Sequence, residues 1–98
     1  MKFVQIIEFT TGRIDEFNVG LDEWMIRSEG HRIPHRAVLR RDRDDRDRYL
    51  LTVEFASYEQ GMENSGRPET GEFASFLASI SNSALAFRNL DVLREDDL

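Results

Sequence analysis

Gln5, His35, Tyr49 and Asn89 are the side chains whose types and spacing could do chemistry. Gln5, Tyr49 and Asn89 interrupt segments that otherwise alternate apolar residues. Amide and phenol groups in such positions can orient a carbonyl or hydroxyl of an apolar ligand. His35 is the member of the set that exchanges a proton near neutral pH, which makes it the candidate proton acceptor. Buried polar groups demand partners, so each is either satisfied inside the fold or turned toward a ligand. For any one alone, internal hydrogen bonding is the simpler account; their common strand parity is what points to a pocket. Gln5, Asn89 and His35 are therefore the candidate catalytic residues. Phe9, Trp24, Tyr49, Phe55 and Phe87 are the candidate substrate-binding walls.

Other chemistry-bearing residues have plainer readings. Trp24 lies at a helical apolar position, where core packing competes with substrate stacking. His31 and His35 bracket Ile33-Pro34 without a carboxylate motif beside them, so no metal site is expected. Glu69 and Thr70 follow Pro68, a pattern typical of a helix N-terminus. Tyr58 reads as a packing residue at a helix start, and Asp91 as a salt-bridge or backbone partner.

Composition narrows the functions further. The 98 residues carry 13 basic and 19 acidic side chains, a net charge of −6, which disfavours a nucleic-acid partner. With no cysteine, thiol nucleophiles, disulfides and Cys-ligated metals are excluded. No phosphate loop, dinucleotide fingerprint, nucleophile elbow or His-Glu-x-x-His helix is present, so no cofactor is expected. The early apolar run Phe3–Phe9 is short and carries Gln5 and Glu8, unlike a signal sequence or a membrane span. A cytoplasmic, membrane-free protein is the expectation. The length suits one domain over residues 1–98.

Periodicity supplies the elements that must hold these residues. Lys2–Thr10 alternates as a strand, and Thr10-Thr11-Gly12 offers a turn and an N-cap. Ile14, Phe17, Leu21, Trp24 and Met25 form one helical stripe, weakened at Gly20 and closed by Gly30. Strands are expected from about His35 to Arg41 and from Arg48 to Phe55. The charged run Arg40–Arg48 between them reads as a solvated hairpin tip rather than a docking knob. Ser57 to about Ser81 is helical, capped by Ser57 with a first piece through Met62. Gly66-Arg67-Pro68 then breaks it, as a kink or a lid. Leu85–Leu93 is the last strand, followed by a frayed tail. The order β-α-β-β-α-β predicts an α+β, ferredoxin-like fold with a four-stranded antiparallel sheet.

Strand parity sorts this sheet into two faces. Phe3, Gln5, Ile7, Phe9, Ala37, Leu39, Tyr49, Leu51, Val53, Phe55, Leu85, Phe87 and Asn89 share the face expected under the helices. The other face mixes Val4, Ile6, Val38, Leu50 and Leu90 with Glu8, Arg36, Arg40, Glu54 and Arg88. That combination suits neither open water nor a buried core, and predicts a two-fold homodimer with interior ion pairs.

The chain resembles the dimeric α/β-barrel superfamily and, within it, antibiotic biosynthesis monooxygenase-like proteins. The resemblance is carried by Met1–Phe9, Thr11–Phe17, Leu51–Glu59, Asn64–Phe73 and Asn89–Val92. It implies two sheets paired into a barrel, a pocket between helices and sheet in each subunit, and cofactor-independent oxygenation of phenolic or quinol-type molecules. Members often carry a tryptophan where this chain has Phe55, and a histidine in the region of Pro68-Glu69-Thr70. Haem-degrading relatives use an Asn, Trp and His set that Ile7 and Phe55 do not reproduce. The expected function is a homodimer binding an apolar or aromatic metabolite as a cofactor-independent monooxygenase. The alternative is a non-catalytic binding or interaction module, which a pocket below roughly 300 Å³ would favour.

Overall fold

β-branched and aromatic residues near the start of the chain adopt the extended conformation their shapes favour. In the computed structural model, which describes residues 1–98, Phe3–Thr10 forms β1. The elements that follow are α1 (Ile14–Arg27), β2 (Arg36–Arg41), β3 (Arg48–Phe55), α2 (Tyr58–Ser65), α3 (Pro68–Ile80) and β4 (Ala86–Asp91). The strands lie in the order β2-β3-β1-β4 with every neighbouring pair antiparallel, the ferredoxin-like arrangement. No helix is long and apolar enough to cross a membrane.

The element ends show where local rules operate. Thr11 is fully buried, but it is not the N-cap of α1; Arg13 occupies that position. The Thr11 hydroxyl instead donates to the Ile80 carbonyl at 2.6 Å and accepts from the Arg13 N–H at 2.9 Å, tying the start of α1 to the end of α3. At the other end of α1, the Ser28 hydroxyl donates to the Trp24 carbonyl, and Gly30 takes a φ of 83°, the left-handed region that glycine enters freely. Ser57 caps α2 by accepting from the Gln60 N–H at 3.2 Å, and that helix runs three residues past Met62 to Ser65. Pro68 opens α3 as a separate helix, so the interrupted segment is two helices rather than one kinked one. The charged tip is an exposed turn in which Asp42 and Asp45 accept from the backbone of Asp44 and Asp47.

Register places the apolar face in rows. Phe3 stands opposite Phe55, Gln5 opposite Val53 and Asn89, Ile7 opposite Leu51 and Phe87, and Phe9 opposite Tyr49. On the far side of β3, Val53 pairs with Ala37 and Leu51 with Leu39. The buried core gathers Ile7, Phe9, Tyr49 and Leu51 of the sheet against Phe17, Leu77 and Ile80 of the helices. Phe9 stacks on Phe17 at 5.4 Å and on Tyr49 at 5.6 Å. At the opposite end α2 comes close to the sheet: a methyl group on Gly61 would stand 2.6 Å from the Phe3 ring. Glycine is required there.

Helix cover does not extend to β4. Every residue of that edge strand is exposed, including Asn89, and Phe87 retains 50 % of its surface. The expectation that the helices cover all four strands fails at β4, whereas Leu39 of β2 still packs against the core. On the reverse face Val4, Ile6, Val38 and Leu50 are half-buried, and Leu90 is exposed. There Lys2 pairs with Glu54 at 2.6 Å, Arg48 lies 3.5 Å from Glu8, and Arg40 donates to Thr52.

Candidate functional site

The row with the smallest side chains on the helix-covered face, Gln5–Val53–Ala37, lies between the Phe3–Phe55 row and the Ile7–Leu51–Leu39 row. A cavity of about 270 Å³ opens over it. Its floor is Gln5, Ile7, Ala37, Leu51 and Val53. Leu21, Trp24 and Met25 of α1, Asn64 of α2, and Thr70 and Phe73 of α3 form the roof. The connection from α1 to β2 supplies the rim through Arg32, Pro34 and His35, continued by Arg36 of β2.

Three polar groups enter this largely apolar space. Gln5 donates through Nε2 to Asn89 Oδ1 at 3.2 Å, a bond between directly opposed residues of β1 and β4 that leaves its carbonyl uncommitted. Asn64 is 7 % exposed and shares the inward face of α2 with Gly61, yet its side-chain amide has no hydrogen-bond partner within the chain. Thr70 Oγ1 is enclosed and likewise without a partner. A buried hydroxyl left unpaired costs about 1–3 kcal/mol, so its presence calls for a reason.

Charge at the rim is organised by ion pairs. His35 Nε2 lies 3.4 Å from Glu54 Oε1, and Lys2 approaches the same carboxylate. The Lys2 hydrogen bond, with a further contribution from His35, holds the Glu54 carboxyl below its usual range. Glu69 is also held low, first by its own backbone N–H in the first turn of α3 and then by His31 at 3.3 Å. Arg67 donates to the His31 carbonyl at 2.8 Å, linking the junction of α2 and α3 to the rim. Arg32 is fixed through Nε to Ser28 Oγ, through Nη2 to the Met25 carbonyl, and over the Trp24 ring at 5.4 Å. No three His, Cys, Asp or Glu side chains converge to hold a metal ion.

The fold brings together Gln5, Trp24 and His35 from the set expected on sequence. His35 stands at the edge, with a ring nitrogen toward Glu54 on the reverse face of the sheet. Asn89 stands behind Gln5 rather than in the wall. Phe9 and Tyr49 belong to the filled core, Phe55 packs against Phe3, and Phe87 lies on the uncovered edge strand; none of the four lines the cavity. Sequence reasoning missed Arg32 and Asn64, and took Thr70 only as helix-start chemistry. The i,i+3 spacing of Gly61 and Asn64, which puts both on one helix face, was the available signal for Asn64. For Arg32, in an irregular connection, there was none.

No protein-family model and no curated protein matches the sequence. Solved structures do match. SnoaB, a cofactor-independent oxygenase from Streptomyces nogalater, superposes with a TM-score of 0.78 at 16 % identity, over 96 % of this chain and 95 % of that one. A candidate antibiotic biosynthesis monooxygenase from Bordetella bronchiseptica gives 0.76 at 16 % identity, over 95 % and 98 % of the two chains. Rv0793 from Mycobacterium tuberculosis gives 0.75 at 17 % identity, over 99 % and 100 %. Over nearly its whole length, the chain therefore has the ferredoxin-like fold of antibiotic biosynthesis monooxygenase-like proteins.

Proposed function

We propose that this chain binds an apolar or aromatic metabolite in the cavity and oxygenates it with dioxygen, without a cofactor. The observation that carries the reading is the enclosed, unpartnered Thr70 hydroxyl facing an apolar cavity beside the free amide of Asn64. A ligand oxygen placed there would supply the missing hydrogen bonds while its rings displace water from Trp24, Leu51 and Phe73. The likeness in fold to an oxygenase that uses no cofactor supports the chemistry.

The reaction class needs only the substrate's own electrons. An activated ring CH₂ beside a carbonyl loses a proton to give an enolate, which passes an electron to O₂. The resulting radical and superoxide combine to form a C–O bond, and the peroxide takes up the proton. Loss of water then converts CH₂ to C=O, so one oxygen atom enters the product and the other leaves as water. Asn64 and Thr70 donate to the enolate oxygen as negative charge develops. Gln5, fixed by Asn89, orients the ring. His35 accepts the proton, and the carboxylate of Glu54 stabilises the imidazolium. The apolar walls exclude water from the radical pair.

The same proposal includes a second copy of the chain. Val4, Ile6, Val38, Leu50 and Leu90 cannot all be covered by the chain's own helices, and the same face carries carboxylates and guanidiniums that can pair across a two-fold axis. Light scattering at micromolar concentration is expected to report a dimer, and a stable monomer would remove this part.

Oxygen uptake with a panel of anthrones and hydroquinones tests the chemistry. Asn64→Leu and Thr70→Val should each lower kcat/KM about tenfold or more. Rates equal to wild type in both variants would dismiss the site. A non-catalytic binding module remains the second reading, because the cavity, at about 270 Å³, falls just under the usual range for ligand pockets and His35 turns a ring nitrogen away toward Glu54. Ligand binding without oxygen uptake across the panel would establish it.

A further inference from the structure

Nineteen of the 98 residues are acidic and the chain carries a net charge of −6, yet none of the 15 residues lining the cavity is Asp or Glu. Arg32, at the rim, is cationic and forms no ion pair, whereas Arg36 borders the cavity from a strand position that alternates toward the reverse face, opposite Glu54. The nearest rim carboxylates are already engaged: Glu54 with Lys2 and His35, Glu69 with His31 and Arg67. The cavity is thus free of acids and carries a cation at its rim, in a negative protein. Its principal charge is also held in place. Arg32 uses Nε on Ser28, Nη2 on the Met25 carbonyl and its planar face on Trp24, which leaves Nη1 without an acceptor at the mouth of an apolar space. Such anchoring lowers the entropy lost when the guanidinium binds an oxyanion.

We infer that the ligand is an anion, an apolar or aromatic body carrying one anionic oxygen group of the carboxylate type, with Arg32 holding that group at the rim while the rings enter over Gln5, Val53 and Ala37. Charge explains what apolar walls alone do not: why an acidic chain keeps acids out of this cavity and leaves Arg32 unpaired at its rim. The inference rests on the reading that the cavity binds a small apolar molecule. It does not depend on oxygenation.

The test compares two probes with one aromatic body, 2-naphthoate and the neutral 2-naphthalenemethanol. Both are titrated by calorimetry and by the fluorescence of Trp24, the chain's single tryptophan, which forms part of the cavity wall. Naphthoate is expected to bind at least about fivefold more tightly at low ionic strength, and added salt should erode that preference. Arg32→Gln should abolish the preference, whatever it does to the affinity for either probe alone; Arg32→Lys should retain part of it. Equal or tighter binding of the alcohol by the wild-type chain overturns the inference and leaves the cavity reading standing. So does a preference that survives Arg32→Gln. Failure of both probes to bind overturns the cavity reading and this inference together. Because the salt series uses the wild-type chain, it decides the matter even where Arg32→Gln does not fold.

Discussion

The space between the helices and the sheet has a filled end and a hollow end. At the filled end Phe9, Phe17 and Tyr49 stack in succession, Phe73 meets Phe17 edge-on at 5.9 Å, and Leu77 and Ile80 close the gaps. At the hollow end the corresponding row is Gln5, Val53 and Ala37, and the cavity opens between it and the helices. The same sheet and the same helices border both. What differs is side-chain volume in one row, together with the close approach of α2 to the sheet at Gly61 and Phe3 and that of α1 to α3 at Gly20 and Phe76. A methyl group at either glycine would collide with an aromatic ring, so α2 sits on the sheet, and α1 against α3, where glycine allows, and the small row does not fill the space left over it. A core and a binding site can therefore be neighbouring parts of one layer, separated only by the size of the residues that register brings together.

Truncation and filling should separate the two ends most sharply. Phe9→Ala removes a stacked ring from close-packed surroundings and should cost about 3–5 kcal/mol in urea unfolding. A loss below about 1 kcal/mol would mean that this end is not packed as described. Val53→Phe, at the hollow end, should change stability by less than about 1.5 kcal/mol because it enters existing space, while abolishing naphthoate binding. A stability loss comparable with that of Phe9→Ala would erase the distinction.

A subtler contrast uses two threonines that differ in whether the hydroxyl is satisfied. Thr11 both donates and accepts, so Thr11→Val should destabilise by about 1–3 kcal/mol. Thr70 has no partner, so Thr70→Val should be neutral or stabilising by up to about 1 kcal/mol. Equal losses at the two positions would show that Thr70 is satisfied in solution by a group of the protein.

The smallest expected effect belongs to the rim. The Glu54 carboxyl is held below its ordinary value in the folded chain, so its contribution to stability is present above the unfolded value. That contribution is lost as pH falls below about 4.5 and through the folded value. Melting temperature followed from pH 6 downward should fall less steeply in Glu54→Gln than in wild type over that window. Parallel curves would remove Lys2 and His35 as effective partners.

Much of the fold was legible because it follows from short-range patterns. Alternation in Phe3–Phe9 and Tyr49–Phe55 separated the two sheet faces correctly, and Pro68 marked the start of α3. The site was less legible, for a reason visible in particular residues. Phe9, Tyr49 and Phe55 have the same parity as Gln5, so parity alone assigns all of them to a pocket. Only their positions along β1 and β3 divide wall from core. Phe87 shares that parity too, but β4 lies beyond the reach of the helices, which its own residues do not disclose.

By itself the sequence determined which residues alternate, where glycine and proline interrupt, and how much charge the chain carries, since each depends on near neighbours or on a count. Tertiary structure decided that Ala37, Val53 and Gln5 stand in one row, that Asn64 and Thr70 meet above it, and that Arg32 reaches it from a loop. Those meetings join residues far apart in the chain through register and helix height. Local pattern carries no information about the distance between two surfaces, and that distance is what makes a cavity.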